Sequence, residues 1–276
     1  EMSAVLAQVD AALAAAEAEG ANAIHEALGV GAEDAPKSAE EWSRLIRRAL
    51  ERRWVRLISF PVADFERRLI HRECPLRLML DEQGEWLPAG RFLPIAERLK
   101  LTARLDLSAI GLGLEELAAQ PNLPGMAVNL SASSLQDRSF RVELRGLLKQ
   151  HAVAARRLWL ELGESGALRH FEAFRDLCRE LKLAGCKVGI EHFGRQFSQI
   201  GQLHGLGLDY LKVDAGFVRG LEANPGNQAF LKGLCTIAHG IGIQVIAEGA
   251  VSEAELLALA GVGFDGATGP AVKDPA

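Results

Sequence analysis

The chain has 276 residues, 49% of them hydrophobic and 24% charged, with a formal net charge of −5. That balance excludes collagen-like, disordered and disulfide-scaffold chains, and its acidity argues against a DNA- or RNA-binding protein, because no global positive field draws in a polyanion. No apolar run reaches the ~18 residues of a membrane span. The four cysteines (Cys74, Cys178, Cys186 and Cys235) form no CxxC pair and read as free thiols rather than a zinc site.

In chain order, residues 2–28 read as one helix, with Val5, Leu6, Val9, Ala12, Leu13 and Ala16 at helical spacing. Residues 29–37 are a linker of Gly, Pro and acids. Ser38 then caps a second helix, with Glu41 completing a capping box. This helix carries Arg44, Arg47, Arg48, Arg52 and Arg53, read as a solvated face, with nucleic acid or membrane contact as the alternative.

From Trp54 onward strands and helices alternate. Segments 54–61 and 67–74 read as a strand pair resembling a hairpin. Helices follow over 92–99 and 105–119, then strand 126–130, helix 140–150, strand 157–162, helix 171–184 and strand 186–193. The series closes with strand 209–213, helix 227–241, strand 243–249, helix 253–260 and a short strand over 264–268. Such βα units predict an α/β fold with a parallel sheet and right-handed crossovers. Their number suits a (β/α)₈ TIM-like barrel with one atypical, antiparallel strand and a helical segment in front. A doubly wound open sheet is the rival, weakened because no GxGxxG follows the first strand.

In a barrel, polar residues at the C-terminal strand ends line one mouth. Those ends carry Glu73, Asn129, Glu161, Glu191 with His192, Asp214 two residues after Lys212, and Glu248. One acid at a strand end is commonplace as a helix cap, but six strands delivering such groups to one rim point to a site. Converging oxygen ligands suit Mg²⁺ or Mn²⁺ and the activation of water against a phosphodiester. Arg77, four residues past Glu73, is placed to pair with a phosphate.

Nine ordered segments then resemble the EAL domain, the barrel family of cyclic-di-GMP phosphodiesterases: FPV (60–62), RECPLRL (72–78), FLPIAE (92–97), RLD (104–106), VNLS (128–131), LELGES (160–165), GIEHFG (189–194), DYLKVD (209–214) and VIAEG (245–249). The resemblance implies an EAL domain over 54–276. Residues 1–28 resemble the closing helix of a GGDEF domain, here a degenerate remnant, and 29–53 become the linker and connecting helix.

On this resemblance Glu73, Asn129, Glu161, Asp214 and Lys212 match the metal-site positions and Glu248 the general-base glutamate. The departures are Glu73-Cys74-Pro75 in place of E-A-L, Glu191-His192 in place of an aspartate pair, Arg195-Gln196 in place of Thr-Gly, Val251 in place of a glutamate, Thr268 and Pro270 in place of a glutamine and a tyrosine, and Phe60 in place of a glutamine. Glu191 moves its oxygens by a methylene, His192 removes a negative charge, and Pro75 stiffens the strand end that aims Glu73. The resulting expectation is a domain that is not an enzyme, with no catalytic residues, no bound metal and no required cofactor.

Ligand binding is expected to survive. The resemblance puts Arg77 on a phosphate and Asp106 on a guanine edge, with Pro75, Asn129, Asp214, Glu248 and Gly269 completing a cyclic-di-GMP site. Phe197, in the loop after Gly194, is either tucked inward or an anchor of a homodimer. The whole is expected to be the cytoplasmic module of a bacterial inner-membrane receptor controlling biofilm adhesion, acting with its own GGDEF and membrane-proximal regions. A weak metal-dependent phosphodiesterase and a non-binding interaction module are the alternatives.

Overall fold

The computed structural model describes residues 38–196 and 200–274. The expected helix over 2–28, the linker over 29–37 and Phe197 lie outside them. The first described helix, Ala39–Glu51, starts where predicted: the Glu41 amide donates to Ser38 Oγ at 3.1 Å. Ile46 and Ala49 are its buried residues, and the arginines at 44, 47 and 52 are exposed, as a solvated basic face requires.

Eleven strands follow among the described residues. They are β1 (Val55–Leu57), β2 (Phe60–Ala63), β3 (Leu69–Glu73), β4 (Leu76–Leu78), β5 (Leu87–Pro88), β6 (Met126–Leu130), β7 (Leu158–Gly163), β8 (Lys187–Phe193), β9 (Tyr210–Val213), β10 (Gln244–Ala247) and β11 (Gly266–Thr268). Eight close into a barrel in the order β2-β3-β6-β7-β8-β9-β10-β11. All neighbouring pairs are parallel except those of β2, which runs antiparallel to both β3 and β11. The predicted barrel with one antiparallel strand is therefore the observed fold.

Two features differ from the sequence reading. The segment 54–61 is not one strand: β1 leaves it to pair with β4, and β2 begins only at Phe60 and enters the barrel. The short strands β4 and β5 complete a separate three-stranded antiparallel sheet with β1. Strands of two or three residues carry too little alternation to be read from the sequence.

Helices Thr102–Ala119, Arg138–Gln150, Phe171–Leu183, Pro225–Gly240 and Glu253–Val262 bury aliphatic residues in one large core. A second, smaller cluster fills the barrel interior: Val62, Ala127, Trp159, Tyr210 and Ile246. His71 of β3 joins it, stacked on Trp159 at 4.2 Å between centroids. Neither ring nitrogen of His71 has a hydrogen-bond partner, and burial, helped by the charge of Lys212, pushes its pKa far down. It is thus a neutral ring and part of the packing. Tyr210 leans on Trp159 at 4.8 Å. Gly189 makes room for it, since a Cβ there would lie 2.3 Å from the tyrosine ring. These aromatic rings form the floor beneath the mouth.

All four cysteines are buried free thiols, and burial pushes each thiol up to about 12. They are thiols at any physiological pH and carry no nucleophilic chemistry.

Candidate active site

Alternation along the strands aims residues two apart at the same face. On β3 this carries the inward direction from His71 to Glu73. On β9 it carries it from Tyr210 to Lys212, and on β7 from Trp159 to Glu161. The three polar side chains thus stand one step above the aromatic floor.

They meet at Lys212. Its ammonium lies 3.0 Å from Glu161 Oε1, 3.3 Å from Glu73 Oε2 and 3.5 Å from Glu248 Oε1. The Lys212 and Glu161 side chains are both 0% exposed. The Tyr210 hydroxyl donates to the other Glu161 oxygen at 3.0 Å, so both oxygens of that carboxylate are engaged. Burial pushes the Glu161 carboxyl up to about 8 against the pull of Lys212. Burial would also depress Lys212, but the surrounding carboxylates Glu161, Glu248, Glu73 and Glu191 outweigh it and hold the ammonium charged.

A second centre lies toward solvent. His192 Nδ1 donates to Glu248 Oε2 at 2.8 Å and sits 4.0 Å from Asp214 Oδ2, while Nε2 is 4.0 Å from Glu191 Oε2. The residue has φ +53°, and its side chain is 63% exposed. The hydrogen bond to Glu248, with the charges of Glu191 and Glu248, raises its pKa to about 9. Burial alone would raise the Glu248 carboxyl, but Lys212 and His192 hold it below its ordinary value. Burial raises Glu191, which accepts from Asn129 Nδ2 at 2.6 Å. Asp214 Oδ1 caps the short helix Ala215–Val218 through the Gly216 amide, and its Oδ2 lies 3.7 Å from Arg195 Nη2.

The structure therefore brings Glu73, Asn129, Glu161, Glu191, His192, Lys212, Asp214 and Glu248 to one mouth. Other site candidates sit differently. Asp106, in the helix Thr102–Ala119, is buried. Its oxygens accept from the Ser131 amide (2.9 Å), Ser131 Oγ (3.1 Å) and Ser134 Oγ (2.7 Å), so it anchors the loop after β6. Arg77 lies on β4 opposite Arg56 in the small sheet, and its guanidinium donates to the Leu76 carbonyl at 3.3 Å. The Pro75 carbonyl accepts from the Ile58 amide, tying the β3–β4 turn to the segment before β2. Gly269, at φ +135°, packs so closely on Ala250 that a Cβ would lie 2.5 Å from its amide nitrogen.

Sequence reading missed Glu164. Its buried carboxylate accepts from the amides of Gly194 (3.2 Å), Arg195 (3.0 Å) and Gln196 (3.2 Å), fastening the loop after β8 to the end of β7. The signal available was a second acid three residues beyond Glu161, which reads equally well as a helix N-terminal charge.

Glu73, Asn129, Glu161 and Asp214 offer the oxygen donors that hard dications take. Their present arrangement does not fit one. Lys212 already sits among three carboxylates, the imidazole of His192 covers Glu248, and among the described residues no group of three or more His, Cys, Asp or Glu side chains is set to hold a metal.

A family model for the EAL domain matches residues 43–275. The chain belongs to the EAL domain family. Cyclic di-GMP phosphodiesterase PdeF of Escherichia coli (strain K12) is 28% identical over 233 residues, covering 83% of this chain and 31% of that protein. The chain thus spans about a third of the length of the curated relatives it matches. Among solved structures, the PaMucR phosphodiesterase in complex with c-di-GMP is 26% identical with a TM-score of 0.75, covering 85% of this chain and 97% of that one. The Vibrio cholerae LapD S helix-GGDEF-EAL chain, bound to c-di-GMP, has a TM-score of 0.83 at 21% identity, covering 98% of this chain and 65% of that one; it shows the shared fold.

These relatives correct one expectation. The sequence departures predicted a domain that is not an enzyme, whereas EAL-family relatives at 25–28% identity are named cyclic di-GMP phosphodiesterases. Glu191 and His192 do not dismantle the mouth: one remains bonded to Asn129 and the other engages Glu248, while Glu73, Glu161 and Lys212 keep their cluster. No helix among the described residues is long and apolar enough to cross a membrane.

Proposed function

We propose that this EAL barrel binds cyclic-di-GMP at its mouth and hydrolyses a phosphodiester bond of it. The observation that carries the reading is the pair of linked centres, Lys212 with Glu73, Glu161 and Glu248, and His192 with Glu248. Lys212 is fully buried, so it organises the carboxylates rather than reaching a ligand. His192 and Arg195, with side chains 63% and 49% exposed, are the cations that a phosphate meets first. Glu248 is held ionised between Lys212 and His192, so its carboxylate can accept a hydrogen bond from an attacking water and orient it, and it gains basicity when His192 turns to the phosphate. The positive charge beside it stabilises charge developing on phosphoryl oxygens.

Arg77 is assigned to the second phosphate, with Asp106 and Gly269 lining the nucleotide and Pro75 shaping the turn that carries Arg77. The support is their match to the family's ligand positions. For Asp106 this role requires the nucleotide to compete with Ser131 and Ser134 for its oxygens.

Calorimetric titration of cyclic-di-GMP, with chelator and with Mg²⁺ or Mn²⁺, followed by product analysis, tests the proposal. Saturable binding and formation of linear pGpG are expected. Arg77→Ala is expected to weaken binding more than tenfold through loss of a charge-assisted phosphate contact, at about 1.4 kcal/mol per factor of ten. Absence of binding, or a nucleotide left intact under every metal condition, overturns the proposal.

A further inference from the structure

We propose that Phe60 is the stacking surface for one guanine ring of the ligand, a role that rests on the cyclic-di-GMP reading above. Phe60 opens β2, the one barrel strand that runs antiparallel, so its position at the strand's beginning falls at the mouth where the other strands end. It stands directly opposite Glu73 in the β2–β3 register, and directly opposed residues in an antiparallel pair project to the same face. Glu73 projects into the mouth, since its carboxylate reaches Lys212 at 3.3 Å. Two residues further along β2, Val62 lies opposite His71 and packs in the barrel interior with Trp159 and Tyr210. The inward face of β2 therefore runs from the aromatic floor at Val62 up to Phe60 at the rim.

At the rim the ring is uncovered. Phe60 is 48% exposed, and among the described residues it is the one aromatic in the set of exposed large hydrophobic side chains. The others in that set are aliphatic, and Val142, Val153, Leu183, Ile237 and Leu257 belong to the outer helices or their short extensions. A phenylalanine at the rim, close to half exposed and opposite Glu73, offers an open apolar surface beside the carboxylates. Its quadrupolar face and flat area match a planar purine, which stacks on an aromatic without needing hydrogen-bond readout. The neighbouring polar groups then meet the sugar-phosphate part of the same molecule. Phe60 is a binding residue in this account and touches no reacting atom.

The test compares cyclic-di-GMP affinity of the wild-type chain with Phe60→Ala, Phe60→Leu and Phe60→Trp, each first shown by thermal melting to be folded. Phe60→Ala and Phe60→Leu are expected to weaken binding at least about fivefold, the low end of base stacking on an aromatic, while Phe60→Trp binds at least as well as wild type. The added indole in Phe60→Trp is expected to lose emission on ligand addition, beyond any change in the wild-type chain. Equal affinity of wild type and Phe60→Leu overturns the stacking role and leaves the cyclic-di-GMP reading standing. Absence of binding by the wild-type chain overturns both.

Discussion

The Lys212 ammonium donates to Glu161 Oε1 at 3.0 Å with both side chains wholly out of water. A buried pair of this kind is neutral to modest in net worth, but removing one partner strands the other's charge. Lys212→Met is therefore expected to destabilise the barrel by about 3–5 kcal/mol when Glu161 is ionised. Burial sets the Glu161 carboxyl at about 8, above its unfolded value, so the folded state holds a proton that the unfolded state has lost. Stability from such a group is present at low pH and is lost as pH rises through 8. Urea midpoints at pH 5 and pH 9 check this: the loss in Lys212→Met should grow toward pH 9, and equal losses would refute it.

Gly189→Ala places a methyl group 2.3 Å from the Tyr210 ring in the barrel interior. The ring is confined by Trp159 and by its bond to Glu161, so it cannot yield cheaply. Overpacking of this kind costs about 1–3 kcal/mol or more. A thermal melt of the variant should show the drop, and Tyr210→Phe should not relieve it because the ring remains.

Asp106 separates two roles by its response to pH. Burial raises its pKa to about 6 against the pull of its hydrogen bonds from Ser134 and Ser131. A raised carboxyl favours the fold below its unfolded pKa near 3.8, and that contribution is lost as pH rises to about 6. Asp106→Asn is expected to remove this window, which is worth about 3 kcal/mol at 1.36 kcal/mol per pKa unit. It also places a donor against Ser131 and Ser134. The difference in denaturation free energy between wild type and variant, followed from pH 3.5 to pH 6.5, measures the first effect. Cyclic-di-GMP affinity of the same variant measures its proposed contact with guanine.

Glu164→Ala removes one acceptor from three successive amides, those of Gly194, Arg195 and Gln196. Loss of these hydrogen bonds is expected to cost about 2–3 kcal/mol and to free the loop locally. Hydrogen exchange at these amides should accelerate while that of β7 amides is little changed. Uniform acceleration through the barrel would show a global effect instead.

Much of the mouth was legible in the sequence because barrel geometry ties strand position to spatial position. An acid at the C-terminal end of any parallel strand reaches the same rim, so Glu73, Glu161, Asp214 and Glu248 could be grouped before any contact was known. The division of labour among them could not. Glu161 and Glu248 look alike along the chain, yet Tyr210 and Lys212 hold one in the dry interior and His192 draws the other toward solvent. Asp106 and Glu164 are oriented by loops from other βα units, and no local pattern announces such cross-connections. The split of 54–61 between two sheets was hidden because Val55 and Leu57 alternate on β1 and Phe60 and Val62 on β2, and a slip of one residue in the period is all that marks the change of partner.

Composition, periodicity and strand-end chemistry by themselves determined an acidic α/β barrel with a polar mouth and one irregular opening strand. Those properties follow from local spacing and from which side chains avoid water. Only the tertiary structure decided which carboxylates share Lys212, which one faces His192, and that the antiparallel β2 lifts Phe60 to the rim. Such pairings join residues far apart in the chain, and burial and charge act on them only after the barrel has closed.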